Sequence, residues 1–180
     1  MARVAHLGLS SIADVVRRTP APRLRESVIA AMDFMECVRL MARNGSTSIS
    51  EVMGGANAFT PWTHFPEHDV VVPETASRFY YHGHPMPRQH PSEHGHFHVF
   101  LYDPRIDPRA STPPVSHLGA IAVDARGLPV RLFTTNRWVT GERWVGAATI
   151  IRRLGRFQTA TRKQPILINC LLYTSPSPRD

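Results

Sequence analysis

Arg78-Phe79-Tyr80-Tyr81-His82-Gly83-His84 and, beyond a proline-stiffened connection, Glu93-His94-Gly95-His96-Phe97-His98-Val99-Phe100-Leu101-Tyr102 are the stretches on which the fold turns. Aromatic and polar residues fill the first arm from Arg78 to His82, as a pleated, half-buried strand requires. In the second arm, Gly95 to Tyr102, residues Phe97, Val99 and Leu101 fall on one face and the residues between them on the other. The link carries Pro85, Pro87 and Pro91. It is too short for a crossover helix, so the two arms are expected to pair as an antiparallel hairpin.

Outward from this hairpin the chain is read as helices first. Leu24, Val28, Ala31, Met35, Val38 and Ala42 recur at helical spacing from Arg23 to Arg43, and Ile29, Met32 and Leu40 widen the stripe. That width predicts one continuous central helix lying against the sheet, intolerant of Met35→Asp. Asn44-Gly45 stops it. Ser48 and Glu51 read as a capping box for a short second helix ending at Gly54-Gly55. Residues 56–74 read as proline-punctuated loop. Downstream, His117 to Asp124 and Leu128 to Thr135 form a hairpin about Asp124-Ala125-Arg126-Gly127. Thr140 reads as the cap of a last helix with Trp144, Ala148, Ile151 and Gly155 on one face, and Trp138 and Trp144 read as core residues. Helices, then strands, then a helix give an α+β fold with N-terminal helices packed on an antiparallel sheet. The expected organisation is an N-terminal segment (1–22), a single domain (23–169) and a tail (170–180). The tail, Cys170 to Asp180, resembles a translated sequencing adapter, which makes the chain a fragment cut off near Asn169 and the tail a segment that packs against nothing essential.

Composition narrows the classes. The chain has 180 residues, 42% of them hydrophobic, with 16 Pro and 11 Gly, as in an ordinary globular domain. No apolar run reaches the roughly 18 residues that span a bilayer, and Asp14 interrupts the only stretch resembling a leader, so a cytoplasmic protein without a membrane partner is expected. The net charge is +7, but the arginines are scattered and no aromatic-interleaved basic stripe argues for nucleic acid. The two cysteines, Cys37 and Cys170, supply no CxxC.

The sharp chemical signal is histidine. Of ten, eight lie between His64 and His98. Residues two apart in a strand share a face, so Tyr80, His82 and His84 should meet His94, His96, His98 and Phe100 across the hairpin. A set of imidazoles on one patch suits zinc or another first-row divalent metal, and three ligands with an open position is the layout of a catalytic zinc site. The candidate metal residues are therefore His82, His84, His94, His96 and His98, with Glu93 as a further ligand or as a partner fixing a ring tautomer. The set is expected on a solvated face, where His96 and His98 can be replaced by Ala without unfolding. A second reading leaves these histidines as plain polar groups of a binding or structural module. There is no HExxH.

Three resemblances bear on this. His94-Gly95-His96-Phe97-His98-Val99-Phe100 resembles the histidine-triad motif of nucleotide hydrolases and transferases, which implies His96 as the nucleophile on an α-phosphate, although Gly95 departs from the pattern. The His-x-His pairs are similar to those of cupins, without the Glu and Gly that follow there. Over most of the chain, Glu93 to Leu101 and Arg131-Leu132-Phe133-Thr134-Thr135-Asn136-Arg137-Trp138-Val139-Thr140-Gly141-Glu142 resemble two blocks of an uncharacterised, mainly proteobacterial family, which implies one domain and no particular activity. In the second block Asn136 and Arg137 are candidate contacts for an anion or other ligand.

Overall fold

The computed structural model describes residues 9–56, 58–85, 90–102 and 115–159, with side chains from residue 12 onward except that of Arg137. Phe65–Val72 (β1), Ser77–His82 (β2), Gly95–Tyr102 (β3), Val115–Val123 (β4) and Pro129–Phe133 (β5) make one sheet in the order β1-β2-β3-β4-β5. Every neighbouring pair is antiparallel. Leu9–Arg18 (α1), Ala21–Arg43 (α2) and Ser48–Met53 (α3) precede the sheet, and Arg137–Thr140 (α4) and Ala147–Leu154 (α5) follow it. The fold is thus α+β, as the residue pattern requires. No described helix is long and apolar enough to cross a membrane.

The two faces of the sheet do different work. Val70, Val72, Phe79, Tyr81, Phe97, Leu101 and Val123 bury one face against Ile49 and Val52 of α3 and against Phe157. Alternation sends Tyr80, His82, His96, His98 and Phe100 to the other. The β4–β5 turn shows why the hairpin closes where it does. The Asp124 carboxylate accepts from the backbone N–H groups of Arg126 and Leu128, and Gly127 takes φ 78°, a conformation open to glycine. The Ser48 hydroxyl then donates to the Gly127 carbonyl at 2.8 Å, tying α3 to the turn.

Four expectations are corrected. The segment read as loop contains β1. Pro66, Glu67, His68 and Asp69 obscure its alternation, and the strand tolerates them because it is an edge and its register with β2 is irregular between Phe65 and Val70. The helix from Arg23 to Arg43 is continuous but not central. Val28, Ile29, Met32 and Met35 are exposed, Met35 at 62%. Only Phe34, Cys37 and Met41 in its second half reach buried surroundings, because α3 already sits on the sheet at β1. The α3 cap lies one residue earlier than read: Thr47 and Ser50 form the reciprocal box. Finally, Thr140 ends α4 rather than starting the last helix. Gly141 at φ 63° breaks the chain there, α5 starts after Gly146, and Trp138 and Trp144 are exposed. The tail from 170 to 180 lies outside the described residues.

Candidate metal centre

The register of β2 with β3 builds the site. Tyr80 pairs with His98 and His82 with His96, so four side chains stand on one face across two strands. The His82 and His96 rings meet edge to face with centroids 4.6 Å apart, and their Nε2 atoms are 2.9 Å apart. The His96 and His98 rings are 4.9 Å apart. One nitrogen from each of His82, His96 and His98 lies within 4.8 Å of the others, and this trio could hold a metal ion. Two imidazole nitrogens on a tetrahedral zinc at 2.0–2.1 Å would stand about 3.3 Å apart, so the set needs only small side-chain shifts to close on a cation.

The site is not solvated as expected. His96 is 4% exposed and His98 2%. Ala120 and Ala122 on β4 pair with His98 and His96, and Phe133 of β5 meets the His96 ring at 5.2 Å. Burial sets the protonation state. It pushes His82 down to about 4, helped by the neighbouring charges of His84 and His64, and His96 down to about 3, helped by His82, His84 and Arg131. Burial, with His96 and His117 beside it, also holds His98 well below the ordinary imidazole value. All three rings are therefore neutral at pH 7, the form that ligates a metal.

The other candidate residues are placed individually. His84 stacks on Trp62 at 4.3 Å and stands 5.1 Å by ring centroid from both His82 and His96, at the rim of the trio. His94 turns away from it. The strand begins only at Gly95, so the alternation does not extend back to His94. Its Nδ1 lies 2.7 Å from the Tyr81 hydroxyl, and its ring packs on Phe59. A Cβ at Gly95 would come within 2.5 Å of that hydroxyl and 2.6 Å of the His82 carbonyl; glycine is what lets the strands approach. Glu93 is buried and its Oε1 accepts from Arg131 Nε at 2.5 Å, while the Arg131 guanidinium lies over Phe133. Asn136 is exposed at the start of α4, and the side chain of Arg137 lies outside the described residues.

Two histidines that the pattern did not single out join the site. His117 of β4 places its Nε2 3.0 Å from His98 Nδ1, and its own backbone N–H donates to the Glu142 carboxylate at 2.7 Å. His64 lies flat on Tyr80, centroids 3.7 Å apart and planes 9° apart, and faces His82 at 5.6 Å. His117 stands alone in an apolar strand, and the register shift between Val99 and Phe100 that brings it beside Phe100 has no local sequence mark. A His five residues before an Asp at the mouth of β1 was the available sign for His64.

The class is an α+β domain with a three-histidine cluster, two of its rings buried and one half-buried. The family "Domain of unknown function (DUF6969)" matches residues 28–175, and the chain belongs to it. No curated protein and no solved structure matches the chain.

Proposed function

We propose that this domain binds one first-row divalent cation, zinc foremost, through His82, His96 and His98, with a coordination position left for a small ligand. The observation that carries the reading is the meeting of one imidazole nitrogen each from buried His96 and His98 and half-buried His82 within 4.8 Å. An all-nitrogen donor set favours zinc and its later first-row neighbours over magnesium or calcium, which take oxygen. Glu93 and His94 stay out of the proposed ligand set because Arg131 and Tyr81 engage them; His84 is the nearest reserve.

The purely structural reading has its own support, since His82 with His96 and His98 with His117 make imidazole pairs at hydrogen-bond distance. Against it stands His96 Nδ1, buried and without a hydrogen-bond partner among the described residues. An unsatisfied buried polar atom costs about 1–3 kcal/mol, and a cluster kept only for packing gains nothing from it. The nucleotide-transfer reading needs cations free for phosphate beside His96, and among the described residues the arginine that acts on His96, Arg131, is paired with Glu93.

The test is calorimetric titration of metal-free protein with zinc. The wild type should take up one equivalent, and His82→Ala and His96→Gln should each weaken binding at least about 100-fold while retaining the native circular dichroism. Gln replaces Ala at position 96 because the site is buried. Absence of saturable uptake, or equal affinity in both variants, overturns the reading.

A further inference from the structure

α2 carries two apolar faces, and the domain uses one of them. Phe34 packs against the core, and Cys37 and Met41 are buried. The second face consists of Leu24, Val28, Ala31, Met35, Val38 and Ala42, whose spacings run four, three, four, three, four. That alternation presents a continuous seam to another helix, with Val28, Met35 and Ala42 at its a positions and Leu24, Ala31 and Val38 at its d positions. Val28, Ala31, Met35 and Ala42 are exposed and Leu24 and Val38 half-buried, and Met32 beside the seam is 67% exposed. Among the described elements, none packs along the first half of α2. Helices draw most of their stability from the packing of an apolar face, and a contiguous exposed apolar strip marks an interaction surface.

We propose that this seam pairs with the same seam of a second copy of the chain, the two α2 helices running parallel about a two-fold axis. Nothing in the proposal depends on the metal reading. Three observations select this occupant. The first is the seam itself: β-branched Val28 at a with Leu24 at d is the combination that favours two parallel strands. The second is charge. Arg25 and Arg39 both flank the seam at e positions. In full overlap an antiparallel pair sets e against e and brings Arg25 of one copy to Arg39 of the other; a parallel pair sets e against g, where Ser27 and Phe34 stand. Arg39 is held by Glu36 of its own helix, and a face bearing both signs is a poor match for an anionic lipid surface. The third is α1. Only Thr19 and Pro20 separate it from α2, and its Ile12, Val15 and Val16 are exposed at helical spacing. A parallel pair brings both α1 helices to the same end of the seam and lengthens the apolar contact there. Leu24 to Ala42 spans about 27 Å at 1.5 Å per residue. One helix breadth over that length falls short of the roughly 800 Å² per partner of a standard interface, which makes the dimer a weak, reversible one with a dissociation constant on the order of 10 µM.

The experiment is sedimentation equilibrium of the full-length protein from about 1 to 200 µM, a range that brackets so small an interface. Wild type should follow a monomer–dimer equilibrium. The double variant Val28→Glu/Met35→Glu alters side chains that are open to solvent in the single chain, so it should keep native circular dichroism and associate at least about tenfold more weakly. Dilute enough that the chains are separate, it should unfold at a denaturant midpoint close to that of wild type. Ala31→Leu fills a small seam position and should tighten association about tenfold, a gain that misfolding cannot imitate. Orientation is read by placing p-benzoylphenylalanine at Arg25 in isotope-mixed protein: the photocross-link should fall on residues 20–28 of the partner subunit. A wild type that stays monomeric throughout overturns the proposal, and if that monomer floats with phosphatidylglycerol vesicles the face belongs to a membrane instead. Unchanged association in the double variant, or in Ala31→Leu, overturns it by moving the contact to another surface. Cross-links to residues 36–43 overturn the parallel arrangement.

Discussion

At the scale of single residues, the site is a case of burial deciding protonation. The imidazole value is about 6.5 in an unfolded chain, but burial lowers it to about 4 in His82 and His117 and about 3 in His96. Between these values the unfolded chain binds more protons than the native one, so metal-free protein gains stability as pH rises toward 6.5 and loses it as pH falls through the native values. Each such histidine contributes a slope of up to about 1.4 kcal/mol per pH unit. Urea unfolding of metal-free protein should therefore show a midpoint that drops steeply between pH 6.5 and pH 5, above the range where ordinary carboxylates titrate. A flat midpoint over that interval would contradict the burial of these rings as neutral groups. A second consequence concerns His117. Its hydrogen bond at His98 Nδ1 orients that ring, and loss of such a partner typically weakens metal affinity 10–100-fold. His117→Phe, which keeps the ring in place beside Phe100, should show that loss in a zinc titration; wild-type affinity would remove His117 from the site.

At the scale of elements, α2 gives the clearest contrast. Its apolar residues mark a helix correctly, but they say nothing about which side of the stripe meets protein. Met35 is exposed and Met41 is 3% exposed, one helical face apart. Met35→Asp should cost no more than about 0.5 kcal/mol, as for most surface changes, and Met41→Ala about 2–5 kcal/mol. Denaturant unfolding of the two variants checks this, and the reverse order would refute the placement of α2. The same contrast explains what the residues alone disclosed. Strict alternation in Gly95–Tyr102 fixed β3 and the facing of His96 and His98, because period two survives wherever one face is buried. Alternation was silent where the chain left the ladder: at His94, one residue before β3, and at Glu67–Asp69, where the edge strand is irregular. His117 and His64 reach the site through pairing across the sheet and a bend in β1, which are properties of topology rather than of local spacing.

At the scale of the whole molecule, the sheet separates two tasks. One face, with α3 and Phe157, holds the apolar core. The other gathers Tyr80, His82, His96, His98 and His117 at the middle of a five-stranded meander, where each strand is fixed by neighbours on both sides. A cation bound there by rings from β2 and β3 ties adjacent strands together and binds only the native state, so saturation at 100 times the dissociation constant should add about 2.7 kcal/mol of stability. The most direct measurement of the central claim is zinc K-edge X-ray absorption on protein loaded with one equivalent. The account predicts a first shell of nitrogen and oxygen at 2.0–2.1 Å, with outer-shell scattering that fits three imidazoles and falls to two in His82→Ala. A shell of oxygen alone, or three imidazoles unchanged in that variant, would contradict it.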